Sequence, residues 1–335
     1  REALLRCTRF DWSRISPVIF GSLFQSVMQP PERRQIGAHY TSERDIRKVI
    51  DDLFLNGLRE RLRKAGASKR ALERLHRELG ELNFLDPACG CGNFLVVAYR
   101  ELRSLETDLL KALHPDGQGV TDIALLSRID VDQMHGIEIS EFPARIAEVA
   151  MWLIDHQANI QLAEAFGRYF VRLPLRKSAR IAVGNALRMD WKEVLPPEQC
   201  SHVLGNPPFV GGRYQTREQK SDLLGVVGDL RGSGLLDYVT GWYFKAADYI
   251  AGTPIEAAFV STNSISQGEQ VSVLWPPLIR KGIRLNFAHR TFSWMSEARG
   301  RAHVHVVIIG FSLAERREKT IYHYEADPDH PNSRS

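Results

Sequence analysis

From about residue 81, short apolar runs alternate with amphipathic helical stretches, and this pattern restricts the fold more than any other feature. Strands joined by crossover helices pair in parallel, so the pattern predicts an α/β domain on a largely parallel, doubly wound sheet. Seven strands are expected, at 83–85, 135–139, 181–184, 202–205, 257–261, 285–289 and 304–311, with a late antiparallel one among them. Between them Ile146, Val149, Ala150 and Leu153 share one helical face, and Val239, Tyr243, Ala246 and Ile250 another.

The first eighty residues read as helical. Ser42-Glu43 opens a helix in which Ile46, Val49, Ile50, Leu53 and Phe54 recur at helical spacing. The basic stretch 59–77, interleaved with Leu62, Leu72 and Leu75, reads as a solvated helical pair with an apolar seam. The segment 211–234 is polar and rich in Gly and Arg, which predicts a mobile loop. Three regions follow: a helical region 1–80, a catalytic α/β domain 81–314 and a linker 315–335. A chain that opens on Arg1 is expected to be a piece of something longer.

Composition narrows the function classes. With 44% hydrophobic and 25% charged residues among 335, the chain has enough apolar mass for a sizeable core. No apolar run approaches a membrane span and no signal segment opens the chain, so no membrane partner is expected. A net charge of +4 tolerates a polyanionic partner without demanding one. Cys7, Cys89, Cys91 and Cys200 make no disulfide framework, which predicts a reducing, cytoplasmic compartment. Cys89-Gly90-Cys91 lacks the second pair that a structural zinc site needs, and His303 and His305 lack a third ligand, so no metal is expected.

Two segments carry chemistry. In Asp86-Pro87-Ala88-Cys89-Gly90-Cys91-Gly92-Asn93-Phe94, a strand turns into a helix, and Gly90 and Gly92 permit a tight turn with close backbone approach to a ligand. Asp86 ends that strand and Glu138 ends the next, where an acid can accept hydrogen bonds from ribose hydroxyls. A dinucleotide site would want a third glycine at Leu95 and an acid some twenty positions on. Their absence favours a nucleoside without phosphates, such as S-adenosylmethionine, whose ammonium Asp86 can attract.

The second segment is Asn206-Pro207-Pro208-Phe209, at the end of a buried strand. The prolines remove two backbone donors, which leaves carbonyls free to face a ligand. The Asn206 oxygen and a neighbouring carbonyl can accept both hydrogens of an exocyclic amino group, and Phe209 can stack on a planar base. An aromatic amine is a poor nucleophile, and two acceptors stabilise the charge that grows on nitrogen as it attacks. In a duplex the base must first leave the stack.

In this order, the segments resemble the N6-adenine DNA methyltransferases whose cofactor motifs precede the catalytic one. The resemblance spans roughly residues 10 to 312. Gly37-Ala38-His39-Tyr40-Thr41 looks like the amino-terminal motif over the methionine end of the cofactor. Gly136-Ile137-Glu138-Ile139 looks like the ribose motif, and Gly184-Asn185-Ala186-Leu187 like the one that meets the cofactor's adenine. Asp237-Tyr238 follows the catalytic loop, and His289 through Trp294 resembles a late motif that brings Phe292 or Trp294 near the target base. Trp294 equally suits a core position. Phe10-Asp11-Trp12-Ser13 through Thr41 further resembles large bacterial restriction–modification or phage-defence proteins.

The resemblance implies a class I S-adenosylmethionine-dependent methyltransferase fold acting on a flipped adenine in double-stranded DNA. It also implies a nuclease region and a target-recognition region in the full-length polypeptide, the latter beyond the linker. Cys91 stands where Ser is commoner, and Phe209 where Tyr is also used. Three rivals stay open at this stage: an RNA methyltransferase, a protein-glutamine methyltransferase and a non-catalytic cofactor-binding regulatory subunit.

Overall fold

The computed structural model describes residues 17–19, 41–115, 126–167, 177–294, 304–324 and 332–334. Helix α1 (Glu43–Ile50) starts where expected. The Ser42 hydroxyl accepts from the Asp45 amide at 3.2 Å and donates to its carboxylate at 2.8 Å, so two polar groups of the helix start are satisfied together. A π-helical segment (Asp51–Leu55) leads into α2 (Asn56–Ala65), and α3 (Lys69–Leu79) follows. The basic surface here meets its own acids: Arg63 pairs with Glu60 at 2.7 Å, and Lys69 approaches Glu73 at 4.0 Å. Leu72 and Leu75 form the buried seam.

The remaining helices are α4 (Asn93–Leu113), α5 (Glu141–Ala165), α6 (Arg217–Val227), α7 (Thr240–Tyr249) and α8 (Gln270–Arg280). The strands are β1 (Phe84–Asp86), β2 (Met134–Glu138), β3 (Arg180–Val183), β4 (His202–Gly205), β5 (Glu256–Thr262), β6 (Arg284–Trp294), β7 (Val304–Ser312), β8 (Thr320–His323) and β9 (Asn332–Arg334). They form one sheet in the order β3-β2-β1-β4-β5-β7-β6-β8-β9. The first five are mutually parallel, and β7 inserts antiparallel between β5 and β6.

All seven expected strands are present, but among the described residues the sheet has nine. The two additions fall within 315–335, the stretch expected to be linker. β8 pairs parallel with β6, and β9 antiparallel with β8. Polar anchors hold β8 in place: the Tyr322 hydroxyl donates to Asp52 at 2.7 Å. Such anchors leave no trace in an apolar pattern. β6 also runs further than expected, because bulges between Leu285 and Phe287 and between His289 and Phe292 break its periodicity while keeping it paired to β7.

Alternation along β5 divides the core. Ala258 and Val260 face α1, α2, α4 and α5, whereas Ala257 and Phe259 face α7 and α8. Residues 41–80 therefore share a core with the sheet: Ile46, Val49 and Ile50 are fully buried in the layer that holds Phe84 of β1 and Leu204 of β4. The order of strands reverses between β1 and β4, so a crevice opens at their carboxyl ends. Asp86 ends β1 there, and Asn206 follows directly after β4.

Candidate active site

The loop after β1 is shaped by two glycines in left-handed conformations, Gly90 (φ 55°) and Gly92 (φ 83°). A Cβ on Gly90 would meet open space, while one on Gly92 would lie 3.0 Å from the Ala147 Cβ. Gly90 thus leaves the space beside the loop clear, and Gly92 lets the start of α4 press against α5. Glu138, at the end of β2, accepts from the Gly90 amide at 3.1 Å and from the Ser140 amide at 2.9 Å. Burial raises its carboxyl above the usual range. Beside it the Ile139 side chain stands exposed.

Asp86 is fully buried. Its Oδ1 accepts from the Ala88 amide at 3.0 Å, and its Oδ2 has no hydrogen-bond partner among the described residues. Burial, with a smaller push from Glu138, raises its pKa from 3.8 to about 8. Gly205 permits this arrangement, because a Cβ there would lie 2.5 Å from Asp86 Oδ1.

Asn206 completes the crevice. Its Nδ2 donates to the Thr41 hydroxyl at 3.0 Å, and its Oδ1 is buried with no partner among the described residues. Asn93 Oδ1, at the first turn of α4, is in the same state. Among the described residues four buried side-chain atoms lack a partner: His202 Nδ1 on β4, and the oxygens of Asp86, Asn93 and Asn206, which lie in the two segments that the sequence singled out. Buried acceptors ordinarily find donors, so the loops suit a ligand that brings a cation, hydroxyls or an amino group. Pro207 is buried, and Phe209, half-buried, packs against both core layers.

The backbone after Phe209 is clamped by residues with weaker sequence signals. Asp237 Oδ1 accepts from the amides of Val210 at 2.9 Å and Val239 at 3.2 Å. Burial raises this carboxyl to about 6. Gln215 donates to the carbonyls of Val210 and Leu236, and Gln270 accepts from the Asp237 amide. Asp237 was visible as part of a motif, but nothing in the pattern marked Gln215 or Gln270.

Other expected positions divide. Asn185 spends both ends of its amide within the protein: Oδ1 accepts from Leu187 N at 3.0 Å, and Nδ2 donates to Asp222 at 2.8 Å. Asp222, on α6, also pairs with Arg188 at 2.6 Å. Ala186, next to Asn185, is buried. Phe292 is buried under Lys48, whose ammonium lies 4.9 Å from the ring centroid, and beside Tyr324 at 4.9 Å. It therefore sits in packed structure, not on an open face. Trp294 ends β6, paired with Val304, and its side chain lies outside what is described, as does Tyr40. The segment 211–234, expected as a loop, contains α6, capped by Thr216, and Tyr214 stands 86% exposed just before it. Among the described residues no cluster of His, Cys, Asp or Glu could hold a metal.

The sheet order, the glycine loop after β1 and the Asn-Pro-Pro-Phe turn after β4 together define a methyltransferase domain. Residues 62–323 match the family model of the MmeI DNA-methyltransferase domain, and the chain belongs to that family. It is 55% identical to the type IIL restriction–modification enzyme MmeI, solved in complex with DNA. That structure superposes with a TM-score of 0.94 over 99% of this chain and 44% of the other. DNA methyltransferase A of Bacillus subtilis (strain 168) is 39% identical over 93% of this chain and 36% of its own length. The type ISP enzyme LlaBIII, bound to DNA, shares the fold at 14% identity, with a TM-score of 0.50 over 91% of this chain and 21% of that one. The chain thus spans less than half the length of these relatives.

Proposed function

We propose that this chain transfers a methyl group from S-adenosylmethionine to the exocyclic N6 of adenine in double-stranded DNA. In this reading it is the modification part of a restriction–modification or phage-defence protein, with nuclease and target-recognition regions elsewhere in the polypeptide. The observation that carries the proposal is the set of buried acceptors without donors on Asp86, Asn93 and Asn206. DNA as substrate draws support from the DNA-bound state of MmeI and its 55% identity. Among the described residues no helix is long and apolar enough to cross a membrane, and the free thiols of Cys89, Cys91 and Cys200 are buried, which fits a cytoplasmic enzyme.

S-adenosylmethionine, when bound, supplies the electrophilic methyl group. Asp86 Oδ2 would attract its ammonium, and Thr41, with Tyr40 as the resemblance implies, would serve the methionine end. Ala88, Gly90, Gly92, Asn93 and Phe94 form the cradle. Glu138 would receive the ribose hydroxyls, while Ile139, Asn185 and Ala186 would border the adenine. Since the Asn185 amide is already committed to Asp222 and Leu187, that border is one of shape more than of side-chain hydrogen bonds.

The flipped target base stacks on Phe209. Asn206 Oδ1 and the Pro207 carbonyl accept from its amino group and draw the nitrogen lone pair out of conjugation. With Pro208 fixing the turn, the nitrogen would be held in line with the methyl group; the bond from methyl to nitrogen forms as the one to sulfur breaks, the neutral thioether leaves, and the proton that the nitrogen loses passes to solvent. The Asn206→Ala variant of the full-length protein tests this reading. We expect methylation of duplex adenine to fall below detection while cofactor affinity stays near wild type. Undiminished turnover would sink the assignment, and methylation of RNA or of a protein amide in place of DNA would overturn the substrate.

A further inference from the structure

We propose that Thr41 is a positioning residue for methyl transfer: its hydroxyl takes up the amide nitrogen of Asn206 and so turns the amide oxygen toward the target amino group. The inference rests on the functional reading above and adds a role at the same site.

A primary amide offers an acceptor at one end and donors at the other. A target amino group offers donors, so only the oxygen end of Asn206 can receive it. Flipped, the amide would set donor against donor. In the structure the nitrogen end is occupied by Thr41 Oγ1 at 3.0 Å, and the oxygen end is the buried acceptor without a partner among the described residues. Thr41 can hold this post because it is itself fixed. It is 4% exposed and directly precedes Ser42, which caps α1 through Asp45. The face of α1 bearing Ile46, Val49 and Ile50 is sunk in the core beneath β4 and β5. A residue 165 positions away thereby orients the catalytic turn through a rigid helix start.

The test compares Thr41→Val, which keeps the shape and removes the hydroxyl, with Thr41→Ser, which keeps the hydroxyl. Both are made in the full-length protein. Single-turnover methylation of adenine-containing duplex DNA is measured beside S-adenosylmethionine binding and the KM for DNA. Thr41→Val is expected to slow the transfer step by roughly ten- to a hundredfold, the scale of a misaligned reacting group, with DNA KM within about threefold of wild type and cofactor Kd changed by much less than the rate, since Thr41 also borders the methionine end. Thr41→Ser is expected to recover the rate to within about threefold. A wild-type rate in Thr41→Val overturns the role. So does a loss that appears equally in cofactor Kd, because it returns Thr41 to cofactor contact alone. Should valine prevent folding, Thr41→Ala removes the hydroxyl without added branching and is read in the same way. A wild-type protein that binds the cofactor but methylates no adenine would refute the functional reading first, and the positioning role with it.

Discussion

At the scale of single residues, Asp86 is expected to make ligand binding pH-dependent. Its pKa is raised from 3.8 to about 8, so folding favours the protonated carboxyl. That contribution to stability is full below the unfolded value near 4 and is lost as pH rises through about 8. A cationic ligand has the opposite preference and draws the proton off. Affinity for S-adenosylmethionine is therefore expected to tighten with rising pH, by up to about tenfold per unit below pH 8. Titration calorimetry from pH 6 to 8.5 checks this. Asp86→Asn should bind more weakly and show a nearly flat profile, and an Asn variant that kept the slope would move the titrating group elsewhere. The glycines differ in a second measurable way. Gly92→Ala combines a left-handed φ with a 3.0 Å approach to Ala147, which predicts a destabilisation of about 1–3 kcal/mol. Gly90→Ala meets open space and should lose only the backbone term, about 1 kcal/mol. Thermal denaturation of the pair separates strain from crowding.

At the scale of elements, the segment after the Asn-Pro-Pro-Phe turn is firmer than its composition implies. Asp237 and Gln215 tie its two ends together, Thr216 caps α6, and α6 returns Asp222 to the strand that leads to Asn185. At its start Arg213 and Tyr214 stand exposed, Tyr214 86% accessible and five residues beyond Phe209. A basic and aromatic tip at that place suits DNA contact. Replacing both residues with alanine should raise the KM for DNA several-fold and spare cofactor binding. Equal KM in a steady-state assay would leave the tip without a role in DNA contact. The elements that the sequence disclosed are those with local signals: Ser42 as a cap, the glycine turn, and seven strands with compact apolar runs. The partners of Asn206 and Asn185 were not legible, because Thr41 and Asp222 lie 165 and 37 positions away and pairings at such range leave no periodic mark. Phe292, given a place near the target base by its motif position, packs against Lys48 and Tyr324, contacts of the same long-range kind.

At the scale of the whole molecule, the far edge of the sheet is fastened to the amino-terminal helices. Arg316 donates to the carbonyls of Asp52 and Leu53, in the π-helical segment, and pairs with Glu256 of β5. His289 joins Asp52 at 2.9 Å and Tyr324 at 2.6 Å, and burial holds its imidazole below the usual range. Arg316→Ala should cost about 1–3 kcal/mol, the scale of charge-assisted hydrogen bonds to a partly buried group, read as a lower midpoint in urea. Since the same helices carry Thr41, the variant should also lose methyl transfer before global unfolding. The place of β7 has a consequence for how the chain is made. A ribosome delivers β5 and β6 first, yet the two never pair: residues 304–312 must arrive and slide between them. Until then one flank of β5 is an open row of amides and carbonyls, ready to pair with another nascent chain. Translation through residue 312 is thus the step at which this half of the sheet closes. Expression cut short of that point is expected to yield aggregate, whereas cuts beyond it spare the sheet's centre.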